Sequence, residues 1–213
     1  MLKLYGYWRS SAAYRLRIAL NLKGVPYEQV SVNIAPARSA QKEAGFKAIN
    51  PQMRVPVLET PAGLLTQSMA ILEWIEETYP DHPILPADAF ERAACRAFAD
   101  VIACDVHPLN NLSVLTALKQ DLGADKAQVS HWYADWILRG FEALEVSARG
   151  RKHAFLYSDT PGLAEICLIP QIYNARRFNV DLTAFPALVE VDKACMALQA
   201  FEQAAPENQP DAV

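Results

Sequence analysis

The chain has 213 residues, enough for two compact domains, and its 52% hydrophobic and 21% charged content is that of an ordinary globular protein. Its 20 basic and 24 acidic side chains leave a net charge of -4, with no clustered basic face for nucleic acid. No apolar run approaches the roughly 18–20 residues that span a bilayer, and Met1–Tyr5 lacks the apolar stretch of a secretory signal. A cytoplasmic protein with no membrane partner is expected.

Leu2–Tyr7 reads as a short apolar strand, and Ala12–Lys23 as a helix with Leu16, Ala19 and Leu20 on one face and Arg15, Arg17 and Lys23 elsewhere. Gly24 and Pro26 stop it. Tyr27–Val32 alternates as a half-buried strand does, so a parallel β-α-β unit is predicted. Val55–Glu59 and Leu64–Thr66 flank Thr60-Pro61-Ala62-Gly63, a hairpin signal. A helix follows with Ile71, Trp74, Ile75 and Tyr79 on one stripe and Glu73, Glu76 and Glu77 solvated, and Pro80 ends it. The order β-α-β then β-β-α is that of a thioredoxin-like domain.

From Asp88 onward the period is helical. Phe90, Ala94, Phe98, Val101 and Ile102 mark one helix, which Pro108 is expected to kink. Tyr133, Ile137, Phe141 and Leu144 mark another, and Leu163–Phe178 and Leu188–Phe201 at least two more. The predicted organisation is a thioredoxin-like domain over 1–80, a linker over 81–87 containing Pro83 and Pro86, and an all-helical domain over 88–213. Cys95, Cys104, Cys167 and Cys195 show no Cys-x-x-Cys spacing, so neither a metal site nor a dithiol redox pair is expected. Each reads as a small buried hydrophobe.

Three features at element junctions fit a site for a tripeptide thiol. Ser10 and Ser11 open the first helix, where free backbone N–H groups and positive potential favour a thiolate. A serine hydroxyl there can donate to sulfur and lower its pKa; taken alone, such a serine reads first as an N-cap. At Val55-Pro56 a cis bond would let Val55 present its N–H and C=O to an extended peptide, and a trans bond would simply mark a strand edge. Gln67-Ser68 precedes a helix, where Ser68 can be its N-cap or, with Gln67, receive a carboxylate.

The segment Arg9-Ser10-Ser11-Ala12-Ala13-Tyr14-Arg15-Leu16-Arg17-Ile18-Ala19-Leu20 resembles the signature of zeta-class glutathione transferases, the maleylacetoacetate isomerase family. Asn50-Pro51, Val55-Pro56-Val57-Leu58, Gln67-Ser68, His107-Pro108-Leu109-Asn110-Asn111-Leu112-Ser113 and Ile169-Pro170-Gln171 with Ala175–Leu182 extend the resemblance, which runs through Gln209-Pro210-Asp211. It implies a glutathione transferase fold and glutathione as cofactor. The implied glutathione contacts are Ser10, Ser11, Arg15, Gln41, Val55, Pro56, Gln67 and Ser68, with His107, Asn111, Leu112 and Ser113 from the helical half. Arg9 and Arg177 are implied as cations for the carboxylates of a small dicarboxylic keto acid. A homodimer is also implied. The activity would be isomerisation of maleylacetoacetate to fumarylacetoacetate in tyrosine and phenylalanine catabolism, with Ser10 and Ser11 as catalytic residues.

Two positions depart from the family pattern. The family usually has Ser-Ser-Cys-Ser where this chain has Ser10-Ser11-Ala12-Ala13, so any role of that cysteine is lost. At Thr160-Pro161-Gly162-Leu163-Ala164-Glu165 the usual capping hydroxyl is replaced by Gly162, leaving Glu165 to reach back to the backbone. The alternative activities are maleylpyruvate isomerisation and conjugation of small halogenated acids. A non-catalytic binding module of the same fold is the alternative of another class.

Overall fold

A computed structural model describes residues 1–213. The chain forms two compact units, one comprising Met1–Ile84 with Met196–Val213 and the other Leu85–Cys195. The helical domain expected over 88–213 therefore gives up its last segment, which packs with the N-terminal half.

In the first unit β1 (Leu2–Gly6), α1 (Ser11–Leu22) and β2 (Tyr27–Ser31) form the predicted parallel β-α-β arrangement. After the short helix α2 (Ala44–Ile49) come β3 (Val57–Thr60), β4 (Gly63–Thr66) and α3 (Ser68–Thr78). The sheet order is β2-β1-β3-β4, with β3 antiparallel to both neighbours. The third strand starts at Val57 and not at Val55, since Pro56 has no N–H to give a ladder. Gly24, at φ 63°, ends α1 in a left-handed turn: Val25 N–H bonds to Leu20 O and Gly24 N–H to Asn21 O.

The apolar stripe on α1 identifies only part of what it buries. Arg15, Arg17 and Lys23 are all buried as well, because α1 packs against α3 and α10 (Gln199–Ala204) in addition to β1. Arg17 donates to the carbonyls of Ala204 and Trp8, both at 2.9 Å. Lys23 pairs with Glu76 at 2.7 Å and donates to Tyr79 O and His82 O. Glu76, expected in solvent, is thus buried, and it also accepts from Ile84 N–H at 3.0 Å.

The second unit is helical throughout. Asp88 caps α4 (Ala89–Asp100) by accepting from the N–H groups of Phe90 and Glu91. A π-helical turn over Val101–Val106 follows, then α5 (His107–Asn110). Pro108 lacks an N–H and crowds the carbonyl four residues back; the wider turn just before it absorbs the mismatch, so the expected kink takes this form. The stretch Ala89–Gln120 is long and apolar enough to cross a membrane by composition. Its backbone nevertheless breaks at Asn111, where ψ is 164°, before α6 (Leu112–Gln120) begins.

The helices α7 (Lys126–Arg149), α8 (Leu163–Arg177) and α9 (Pro186–Met196) complete the unit. Glu165 is buried at the start of α8 and accepts from Gly162 N–H and Leu156 N–H, both at 2.7 Å, so it does reach back as the sequence suggested. Burial raises the pKa of its carboxyl. The predicted helix Leu188–Phe201 is two helices, α9 and α10, separated where Leu198 is extended. No glycine or proline marks this break. Phe201 is instead drawn into the core of the first unit.

Candidate active site

The end of β1 and the start of α1 are held on both sides. Trp8 N–H donates to Asp211 Oδ2 at 3.2 Å, and Trp8 O accepts from Arg17. Asp211 also accepts from Gln29 Nε2 at 3.0 Å and Ser31 Oγ at 2.8 Å, so the chain's last residues fix the loop ahead of α1. Ser10 is the N-cap, its Oγ accepting from Ala13 N–H at 3.3 Å. The two serine readings are compatible: Oγ accepts one bond from the helix and still has an O–H to donate. Ser11 and Ala12 occupy the first helical turn, both buried.

Arg15 is 2% exposed and donates through Nη1 to Ser68 Oγ at 3.2 Å. Its Nε and Nη2 have no hydrogen-bond partner, and no carboxylate neutralises it. A buried cation left uncompensated is costly, and here it stands behind the N-terminus of α3. Ser68 is not the N-cap, as the sequence allowed, but the first helical residue. Gln67 is the cap, with a positive φ of 68° and its Nε2 bonded to Gln52 Oε1 at 2.8 Å. The Val55–Pro56 bond is cis. Asn50, buried, organises the loop before it by donating to Arg54 O and accepting from Gln52 N–H. Gln41 lies in a 3-10 turn, Ala40–Lys42, with Oε1 buried and unbonded. Ala40 and Val55 pack against the same small cluster of Val32, Phe46 and Val57.

Arg9 lies with its guanidinium carbon 4.6 Å from the Trp8 ring centroid and 5.8 Å from that of Tyr7, and donates to the Tyr7 hydroxyl at 3.3 Å.

The remaining expected site residues belong to the second unit. His107 opens α5 and is half-buried. Asn111 caps α6: its Oδ1 accepts from Ser113 N–H at 2.9 Å, Ser113 Oγ at 2.6 Å and Val114 N–H at 3.3 Å, while Nδ2 donates to Pro108 O. Leu112 is exposed in the same turn. Asn111 and Ser113 thus form one local cap, with His107 a turn earlier. Arg177 is the last residue of α8, its guanidinium carbon 4.6 Å from the Phe178 ring centroid. Burial pushes the Tyr133 phenol up to about 12, against the opposing pull of the Arg177 charge.

All four cysteines lie in the second unit, so the thioredoxin-like unit has none. Cys95, Cys167 and Cys195 are buried, whereas Cys104 is exposed, unlike the expectation for all four. Desolvation pushes Cys95 up to about 12, the opposite of what a reactive thiol needs. A thiol used at the start of α1 must therefore come from a ligand. Asp211 and Arg17 are the positioning residues that sequence reasoning missed; both lie in segments that carry the resemblance, but no role was assigned to either, and their partner Trp8 is 203 residues from the first.

Residues 1–77 match the family described as glutathione S-transferase, N-terminal domain. Over 212 residues the chain is 48% identical to a maleylpyruvate isomerase of a Ralstonia species, the alignment covering 99% of each. Its fold superposes on the holo structure of a maleylpyruvate isomerase described as a bacterial zeta-class glutathione S-transferase, with a TM-score of 0.96 and 47% identity over 99% of this chain and 100% of that one. A maleylacetoacetate isomerase from Anaeromyxobacter dehalogenans, solved with glutathione in its active site, matches with a TM-score of 0.90 and 43% identity over 100% and 98% of the two chains.

Proposed function

Because the chain belongs to the zeta class of the glutathione S-transferase family, we propose that it is a glutathione-dependent cis–trans isomerase of maleyl keto acids. Its first candidate substrate is maleylacetoacetate, converted to fumarylacetoacetate in aromatic amino-acid catabolism. The observation that carries the reading is a capping serine at the start of α1, in a unit that contains no cysteine of its own. The residues fit the cofactor. Arg15 Nε and Nη2 and Gln41 Oε1 are buried and left without partners inside the protein, as expected where a polar, charged ligand completes the site.

When bound, glutathione supplies a thiol that adds reversibly to the cis alkene, turning a double bond into one that can rotate. Ser10 donates its O–H to the sulfur, and the N-terminus of α1 favours the thiolate. Ser68 and the N-terminus of α3 receive a carboxylate of the tripeptide, with the charge of Arg15 behind them. Val55 pairs with its backbone. Gln41 and Gln67 bind its polar groups in the first unit, and His107, Asn111, Leu112 and Ser113 do so in the second. Arg9 and Arg177 take the substrate's carboxylates by charge-assisted hydrogen bonds, and positive potential stabilises charge developing on its carbonyl oxygen. A homodimer and cytoplasmic residence go with this reading; light scattering on the eluting protein tests the dimer, with a monomer as the contrary result.

Maleylpyruvate is the second candidate, supported by the Ralstonia relative of that name. A glutathione-dependent assay comparing maleylacetone with maleylpyruvate tests both. Turnover of at least one is expected, and the ratio ranks the substrates. Turnover of neither, with glutathione still bound, would leave a binding module of this fold.

A further inference from the structure

The lysines and arginines of the first unit fall into two groups. Lys3 and Lys23 pair with Glu59 and Glu76. Arg9, Arg15 and Arg17 donate to the Tyr7 hydroxyl, Ser68 Oγ and two backbone carbonyls. The other four, Arg38, Lys42, Lys47 and Arg54, are exposed, and their side chains make no ion pair and no hydrogen bond. All four lie between β2 and β3, where the only acid is Glu43. The whole chain has a net charge of -4, so this loop runs against its background.

The loop is fastened to the proposed glutathione site of the same unit. Ile34, Ala40, Ile49 and Val55 pack on the buried Val32, Phe46 and Val57. Gln52 Oε1 accepts from Gln67, the cap of α3, at 2.8 Å, and Asn50 Nδ2 donates to Arg54 O at 2.8 Å. Ser39 and Met53 take left-handed backbone, at φ 49° and 53°, which a residue with a side chain keeps only where its surroundings impose it. Lys42 and Arg54 are the chain neighbours of Gln41 and Val55, so their Cα atoms stand about 3.8 Å from those of two proposed ligand residues. A charge anchored there acts at a range comparable to the roughly 8 Å screening length of physiological salt.

Glutathione with its thiol protonated carries two carboxylates and one ammonium group, and so is an anion. Like charges that nothing in the protein neutralises raise the local concentration of such a ligand and its rate of arrival. We propose that Arg38, Lys42, Lys47 and Arg54 form a cationic rim that draws the anionic tripeptide into the first unit's site. The inference rests on the glutathione contacts proposed above and goes beyond them: those contacts hold the ligand, and the rim sets how fast it arrives. Four charges are fewer than the roughly 6–10 phosphate contacts of a nucleic-acid site and suit a small anion.

Stopped-flow association of glutathione, followed by tryptophan fluorescence, tests the rim. The association rate constant should fall roughly three- to fivefold from about 10 mM to about 300 mM sodium chloride, as the screening length contracts. A variant carrying Arg38→Gln, Lys42→Gln, Lys47→Gln and Arg54→Gln should lose the same factor at low salt and show an almost flat salt dependence. Its dissociation rate constant should stay within about twofold. A control with Lys126→Gln, Lys152→Gln and Lys193→Gln removes exposed cations of the second unit and should leave association as fast as in the native protein. An unchanged salt slope in the rim variant would overturn the proposal. So would an equal loss in the control, which would make net charge the cause. A loss confined to dissociation would make the four cations direct contacts and refute the steering role. Absence of glutathione binding to the native protein by calorimetry would refute the site itself, and the rim with it.

Discussion

Arg15 sets stability against binding within one side chain. Buried, bonded only to Ser68 and lacking an acid, it makes the unliganded fold bear an unpaired charge. Arg15→Met should therefore leave the melting midpoint unchanged or higher while weakening glutathione binding about tenfold by calorimetry. Lower stability with unchanged affinity would make Arg15 a structural residue. Nothing in the helical period of α1 reveals this burial, since Arg15 falls off the apolar stripe and reads as a solvated cation. Ser10 is legible as an N-cap, because a serine at a strand-to-helix junction commonly caps the helix, whereas its role toward a thiol comes from the resemblance. Ser68 was legible as a position but not as a cap, since the cap is Gln67 in a backbone region that its side chain does not advertise.

At the scale of elements, the close approach of α7 to the π-helical turn limits what α7 can carry. A Cβ on Gly140 would stand 2.4 Å from Val106 Cγ2. Gly140→Ala should destabilise the protein by about 1–3 kcal/mol in urea unfolding despite alanine's better helix propensity. Adding Val106→Ala should return part of that loss; a neutral or stabilising Gly140→Ala would refute the tight contact. The strands and most helices were readable from periodicity, because each buries one face and ends at a glycine, a proline or a cap. The break at Leu198 was not, since residues on both sides continue the apolar stripe. It is the separate destination of α10, packed on α1, that divides the helix.

Across the whole molecule, the chain's end returns to its beginning. Asp211 ties Trp8, Gln29 and Ser31 together, and Arg17 ties Trp8 to Ala204. Asp211→Ala should loosen the loop that carries Ser10, costing about 1–3 kcal/mol and raising the KM for glutathione severalfold. An unchanged KM would mean the tail is not part of the site's support. Sequence reading divided the chain into a mixed half and a helical half from the change of period. It does not show Met196–Val213 rejoining the first unit, because that return depends on contacts, apolar at Phe201 and polar at Asp211, between residues far apart in the chain. The full-length resemblance reached Asp211 without assigning it a role.

The central claim is that Ser10, at the start of α1, activates the thiol of bound glutathione. Thiolate absorbance near 240 nm, followed against pH with glutathione saturating the protein, measures it directly. The expected apparent pKa lies clearly below the roughly 8.5 of an unperturbed thiol and returns toward that value in Ser10→Ala, with turnover falling far more than in Cys95→Ala. A titration that is the same with and without the Ser10 hydroxyl would contradict it.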